Sequence, residues 1–331
     1  MSFTNTFDTT NTGSAVSNRE DLTDVLTILA PEETPILSSA DKKKASSTFV
    51  EWTVDSLAAP STSGSSEGAD VTAFTDQFAG RAKLGNRVQK FRRDYMVSDM
   101  QEAVDSVGPA KIAQAEAKAI RALKRDIEAT LASANTQATE NGAGTANALG
   151  GLGDWIQNAA GSGNVPAAFQ TPAASVVDAG ATLSESEFNG LITSIFGVTG
   201  STNNLMLIAD TTLRGDISDF ARTTASATDN VRSVNYDGNS GEIKLSVDLY
   251  QSDHGVVSIV NGNPDCMPTQ GGTAGMMGYL VNPEYYGVHE LIPMGSTRLP
   301  NLGGGERGFV DCALTLGVYH PGAHGKIVDP S

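Results

Sequence analysis

The hydrophobic and polar positions of the chain fall into blocks whose period changes several times. Residues 1–17 are polar and Thr/Asn-rich with nothing to bury, and they read as an extended arm that needs a partner to pin it. A short helix is expected next. Asn18 stands as its cap with Asp21 three residues on, Leu22, Val25, Leu26 and Leu29 follow at i, i+3, i+4 and i+7, and Pro31 stops it. After Pro31-Glu-Glu-Thr-Pro35 and the basic triplet Lys42–Lys44 the period drops to two. Val50, Trp52 and Val54 alternate with Glu51, Thr53 and Asp55, as in a half-exposed strand. Residues 58–70 form a flexible loop, and a second extended stretch runs from Arg87 to Val97. Together these predict a long two-stranded projection with a loose tip. Such a hairpin is marginal in water unless another surface covers it.

The longest helix follows. Ser98 with Gln101 resembles a capping box, and Gly108-Pro109 kinks or restarts the helix. From Ala110 to Ala134 the sequence is Ala-rich, with Ile112, Ile120, Leu123, Ile127 and Leu131 on one face. Lys111, Lys118, Lys124, Arg125 and Glu128 are placed elsewhere on the wheel. The Gly/Ala/Asn stretch from Glu140 to Trp155 suits neither helix nor strand. After a polar stretch to Leu183, Ser184 and Glu187 form a capping box for a helix striped by Phe188, Leu191, Ile192, Ile195 and Phe196.

Beyond that helix the pattern turns to strands. Leu205–Ala209 reads as a buried strand, with Asp210 or Thr211 capping a further helix. Val234–Tyr250 carries an Asp237-Gly238 turn and alternates Ile243, Leu245, Val247 and Leu249 against polar neighbours. Val256–Val260, Met277–Val281 and Tyr285–Ile292 are further strands. In the last and longest, Val310, Cys312, Leu314, Leu316 and Val318 share one face. No fixed-period repeat is visible. The class is α+β, with helices and strands segregated rather than alternating.

Composition narrows the function classes. The 331 residues carry 22 Lys+Arg against 38 Asp+Glu, a formal net charge of -16, which excludes a protein that holds nucleic acid by neutralising phosphates. No apolar run approaches the roughly 18 residues of a membrane span. The start, MSFTNTFDTTNTGS, lacks the basic and apolar regions of a secretory signal. Two cysteines, Cys266 and Cys312, make no disulfide framework, and the absence of CxxC argues against structural zinc. A soluble protein of a reducing cytosol is expected.

Each chemical motif has a plainer explanation. Gly303-Gly-Gly-Glu-Arg-Gly308 matches the dinucleotide fingerprint, but a Pro-Asn loop precedes it and a strand follows, so a turn accounts for it. Gly64-Ser-Ser66-Glu-Gly68 matches the nucleophile elbow without the helix that lifts the serine. His320 and His324 are separated by Pro321 and Gly322, which prevent a helix from aligning the rings. His254 has Asp253 beside it but no third ligand, and His289 stands alone. Ser233 and Lys244 occupy positions where a calcium loop around Asp237 needs acids. Cys312 reads as a buried thiol. No catalytic residue, cofactor site or metal site is expected. Three basic clusters stand out in an acidic chain: Lys42–Lys44, Arg87–Arg93 and Arg121–Arg125. They are suited to an acidic patch on another subunit, although a solvated charge run explains any one of them equally well. The contact candidates are Lys42, Lys43, Lys44, Trp52, Arg87, Arg92 and Arg93.

In this order the elements resemble the major capsid protein of tailed bacteriophages, the Hong Kong 97-type fold also seen in encapsulins. Seven stretches are similar to its SU-ten-like branch: Arg19-Glu-Asp-Leu-Thr-Asp-Val25, Pro31-Glu-Glu-Thr-Pro35, Glu51-Trp-Thr-Val-Asp-Ser-Leu-Ala-Ala59, Gln101-Glu-Ala-Val-Asp105, Leu123-Lys-Arg-Asp-Ile-Glu128, Asn282-Pro-Glu-Tyr-Tyr286 and His324-Gly-Lys-Ile327. The resemblance implies an N-terminal arm (1–44), an extended loop (45–97), a peripheral domain with a spine helix (98–183), an axial domain (184–280) and return strands (281–331) that complete both. It implies pentamers and hexamers of an icosahedral shell enclosing double-stranded DNA, in the virion, assembled in the host cytoplasm. The implied partners are other copies of the chain and scaffolding, portal and cement proteins, with no membrane. In the family the arm and loop lie on neighbouring subunits, so assembly supplies the contacts that a monomer lacks.

Two family features are read differently here. The chain starts at Met1 without a long helical prefix, so scaffolding is expected as a separate protein. For the Lys–Asn crosslink of the type member, Lys83 and Lys90 are the lysines to test, and nothing local marks a partner. The alternatives are an encapsulin-like compartment shell and, from another class, an acidic hydrolase or surface binding protein.

Overall fold

A computed structural model of the chain describes residues 33–104, 111–142, 144–157, 165–180, 182–202, 204–220, 248–267, 269–270 and 274–328, the side chains of 269–270 and 274–277 aside. The expected helix at Asn18–Leu29, the Gly108-Pro109 kink and the Asp237-Gly238 turn with its calcium reading lie outside these residues.

The described chain begins with a single helical turn, α1 (Pro35–Ser39), and a short strand, β1 (Asp41–Lys44). Strands β2 (Phe49–Val54) and β3 (Ala82–Arg87) then pair antiparallel around the long loop, Trp52 opposite Leu84. Strand β4 (Gln89–Val97) leaves that hairpin. It pairs with β12 (Glu306–Val318), which pairs in turn with β11 (Tyr286–Leu299), and β1 closes the sheet in the order β1-β11-β12-β4. The two-stranded pairing expected for Arg87–Val97 is therefore corrected. The hairpin partner is Ala82–Arg87, and β4 belongs to the main sheet because Phe91 and Tyr95 are buried in its core.

A short helix, α2 (Asp99–Ala103), is capped by Ser98, whose Oγ accepts from the Gln101 N–H. The spine helix, α3 (Lys111–Ala132), packs on β4 and β12 through Leu123, Ile127 and Leu131, none of which is solvent-exposed. Each such side chain contributes about 1.5–3 kcal/mol, so this stripe, rather than helix propensity, holds the helix down. Glu128 is a correction. Although it lies off the apolar stripe of the wheel, it is 1% exposed, because α1 lies over that side of the helix.

The glycine-rich stretch is also more ordered than expected. Ala138 and Ala148 form a β-bridge, and α4 (Leu152–Trp155) is a buried helical turn. Gly151 enters it where a Cβ would stand 2.2 Å from the Ser133 carbonyl oxygen. Backbone cannot yield as a flexible side chain does. Gly151→Ala is therefore expected to destabilise by about 2 kcal/mol, whereas Gly190→Ala, on α5 (Glu185–Thr199) with nothing within 4 Å, is expected to be neutral or mildly stabilising. Urea midpoints of the two variants check this. Equal midpoints would mean that the close approach is absent.

The second sheet runs β5-β13-β10-β6-β8-β7, with β9 (Thr269–Gln270) added on β10. Its members are β5 (Val176–Asp178), β6 (Leu205–Ala209), β7 (Leu249–Ser252), β8 (Gly255–Asn261), β10 (Ala274–Val281) and β13 (Gly325–Val328). Helix α5 has the expected capping box of Ser184 and Glu187, and ends on Gly200 at φ 67. Its Phe188, Leu191, Ile192 and Ile195 are buried, whereas Phe196 is 38% exposed. Helix α6 (Thr211–Phe220) contributes Leu213 and Ile217 to the same core. The parallel pair β6 and β8 flanks α6 in sequence, so this half of the chain mixes helix and strand more than the segregated pattern predicted.

Candidate functional site

No group of three or more His, Cys, Asp or Glu side chains able to hold a metal occurs among the described residues. Both nucleotide and nucleophile motifs sit in settings that serve the backbone. Gly303 and Gly305, at φ 94 and 120, make the β11–β12 turn, with Asn301 Oδ1 accepting from both N–H groups. A Cβ at Gly305 would stand 2.1 Å from the Val97 carbonyl oxygen, which fixes glycine there. Gly64, Ser66 and Gly68 lie in an exposed loop with no helix behind the serine.

The histidines are engaged one by one. His254 stacks on Phe196 with ring centroids 5.0 Å apart, and His289 Nε2 lies 3.1 Å from the Tyr319 hydroxyl. His320 packs edge-on against Phe169 and Tyr285. His324 is fully buried. Its Nδ1 accepts from the Asn282 N–H, and burial pushes its pKa down to about 4, so the ring is neutral. Cys312 and Cys266 are buried thiols, raised by burial first. A groove of about 640 Å³ is lined by Glu33, Thr211, Arg214, Ser218, Asn261 and Pro264. Its arginine is already held by Asn261 at 2.7 Å and Asp248 at 2.5 Å.

The outer surfaces are more informative. Every residue from 55 to 81 is exposed, and among them stand Leu57 at 99%, Val71, Phe74 at 89% and Phe78. Monomeric proteins seldom leave several large apolar side chains on one segment. Phe78 has the Arg81 guanidinium against its ring, at 4.5 Å, while Arg81 pairs with Asp55 at 3.0 Å. At the far end of the main sheet a second exposed apolar group gathers Met96, Met100, Val104, Leu299 and Leu302. There Met96 stands opposite Arg307, and Arg307 opposite Leu299. Neither group featured among the sequence candidates. The phenylalanines embedded in a Ser/Thr/Gly-rich loop were a legible signal.

The sequence candidates scatter over three environments. Lys42 and Lys44 are exposed on β1 and Arg92 on β4, without an ion pair among the described residues. Lys43 lies over the Tyr319 ring at 4.1 Å and pairs with Asp41; a hydrogen bond to Tyr319, and the Asp41 charge after it, raise its pKa. Arg93 grips Asp126 of α3, and Arg87 covers the Phe49 ring at 5.0 Å. Trp52 packs inside its own subunit, 5.5 Å from Trp155 and 6.1 Å from Tyr319 between ring centroids. Of the two lysines singled out for crosslinking, Lys83 pairs with Glu51 at 3.6 Å and Lys90 with Asp311 at 3.1 Å.

Comparison with known proteins gives this geometry a context. A family model described as SU10 major capsid protein matches residues 3–331. No curated protein matches the sequence. Among solved structures, a chain of the capsid of cyanophage P-SCSP1u is similar over 100% of both chains, with TM-score 0.63 and 12% identity. A chain of Mycobacterium phage Bobi is similar over 98% of this chain and 99% of that one, with TM-score 0.63 and 11% identity. The holo-SrpI encapsulin complex of Synechococcus elongatus PCC 7942 follows at TM-score 0.54 and 10% identity, over 95% and 93%. At such identities the likeness speaks to fold, while the family model spans nearly the whole chain.

Proposed function

The chain belongs to the SU10 major capsid protein family, structural proteins of the virion capsid, and from that premise we propose that it forms pentamers and hexamers of an icosahedral shell around double-stranded DNA. The exposed loop of residues 55–81 carries this reading. A segment with Leu57, Val71, Phe74 and Phe78 in water gains stability only when a second copy covers it. We assign residues 1–44 to an arm and 45–97 to a loop that reach neighbouring subunits. Residues 98–183 form a peripheral domain and 184–280 an axial domain facing the capsomer centre, and both are completed by 281–331. Lys42, Lys44 and Arg92 meet acidic patches of adjacent copies, and Lys43, Trp52, Arg87 and Arg93 support that surface from within the subunit.

The charge of -16 fits a container better than a binder of DNA. A shell without a basic lining releases its genome readily, and its mutually repelling subunits must cohere through buried area and local charge matching. Scaffolding, portal and cement proteins are the further partners, with assembly in the host cytoplasm. A compartment shell with protein cargo is the second reading, favoured by the likeness to the encapsulin complex. Negative-stain microscopy of the expressed chain tests both. Closed particles or capsomers are expected, and a stable monomer at high concentration would overturn the proposal. Genome-length DNA in purified particles decides for the virion, protein cargo for the compartment. Boiled in detergent, the subunits are expected to run as one band, without crosslinked ladders.

A further inference from the structure

The turn α1 has an unusual cap. Helix starts leave their first N–H groups without partners, normally served by the side chain at the N-cap. Thr34 makes no such bond, and Pro35 has no N–H to offer. The donors of Ile36 and Leu37 instead reach Glu128 of α3, whose Oε1 accepts at 2.8 Å and Oε2 at 2.9 Å. One carboxyl group, some ninety residues away in sequence, caps this turn.

The carboxyl is isolated electrically. Glu128 is 1% exposed and has no ion pair among the described residues. Two titratable groups sense its charge, the Cys266 thiol and the Tyr286 phenol, and neither is a cation. Arg125, one turn earlier on α3, is taken by Asp265. A buried carboxylate without a countercharge is costly, and two amide donors offset only part of that cost. When the turn lifts away, water hydrates the group and removes the penalty.

We propose that Glu128 is a proton-controlled anchor: neutral, it holds the turn Pro35–Ser39 against the spine helix, and ionised, it favours release of the turn. The sign follows from linkage. Burial raises the docked Glu128 from the ordinary 4.5 to about 7, so the docked form binds the proton more tightly than the lifted form. Docking is therefore favoured fully below the ordinary value, is lost progressively as pH rises from 4.5 to about 7, and changes little above that. Within that window each pH unit shifts the balance by up to about tenfold toward the lifted state. The other tethers do not titrate there: Asn263 Nδ2 donates to the Glu33 carbonyl at 3.0 Å, Ser39 meets the Tyr286 hydroxyl, and the Ile36 side chain is fully buried. They make the turn a tethered latch. This device does not depend on shell formation.

Hydrogen exchange of the full chain, read by mass spectrometry from pH 5 to 9 and divided by the intrinsic rate at each pH, tests the anchor. Protection of the peptide spanning residues 33–40 is expected to fall at least tenfold between pH 5.5 and 7.5 and to level off above about pH 7, while the spine-helix peptide around Leu123 stays constant. In Glu128→Gln the profile of 33–40 is expected to be flat. Asn263→Ala should lower protection at every pH, with the profile still levelling off near pH 7. Protection that is flat or rises with pH in the wild type would overturn the proposal, as would a Glu128→Gln profile that follows it. If Glu128→Gln fails to fold, the wild type and Asn263→Ala still decide, since parallel changes in both peptides would mean general loosening and no anchor.

Discussion

Replacing Phe74 and Phe78 by serine is expected to leave the subunit folded and to abolish shell formation. The two rings are 89% and 64% exposed, on a loop in which no residue from 55 to 81 is buried. Exposed positions of this kind contribute within about 0.5 kcal/mol to folding, and the main loss inside the subunit is the stacking of Arg81 on Phe78. In an assembly the balance reverses. Covering a phenylalanine contributes about 1.5–3 kcal/mol, so two of them contribute roughly 3–6 kcal/mol to each subunit contact. That is about a hundredfold to ten-thousandfold in each association step. A closed shell repeats the same contact, so the deficit recurs at every subunit added. Circular dichroism melts should match the wild type, while sedimentation and negative-stain images should show only small species. Shells at wild-type yield would mean that the loop is not an assembly surface.

The legible parts of the fold were those fixed by short spacings. The capping box of Ser184 and Glu187, the apolar stripe of the spine helix and the strand ending at Val318 each depend on neighbours within a few residues. Partner choice was not legible in this way. Arg87–Val97 alternates identically whether it pairs with β2 or with β12, and only the fit of Phe91 and Tyr95 into the main core decides. Glu128 shows the same limit. On a helical wheel it is a charged residue beside Ile127, and its burial depends on a turn arriving from about ninety residues away. The candidate surface was half legible. Phenylalanines in a polar loop announce an uncovered segment, whereas the engagement of Arg93 by Asp126 or of Lys43 by Tyr319 exists only in three dimensions.

Acid should destabilise the subunit through His324. The ring lies fully buried between the Asn282 N–H, which donates to Nδ1, and the Tyr285 carbonyl near Nε2. Burial depresses its pKa from the ordinary 6.5 to about 4. The unfolded chain therefore binds a proton that the folded chain refuses, and stability falls as pH drops from 6.5 toward 4. Over that interval the loss is about 3 kcal/mol, at 1.36 kcal/mol per pKa unit. Two buried acids oppose it. Burial raises Glu128 to about 7 and Asp154 to about 6, so the folded chain takes up protons at these sites and gains stability over nearly the same range. The total pH dependence thus hides the histidine, and only a difference between variants isolates it. His324→Asn keeps an acceptor toward the Asn282 N–H without a titrating ring. It is expected to be less stable than the wild type at pH 7 by about 1–3 kcal/mol, from lost packing. At pH 4.5 the gap should close or reverse, because the variant escapes the cost of protonation. Urea unfolding of both proteins at the two pH values measures the four free energies, and a gap that stays constant would show that His324 is not the acid-sensitive element of this core.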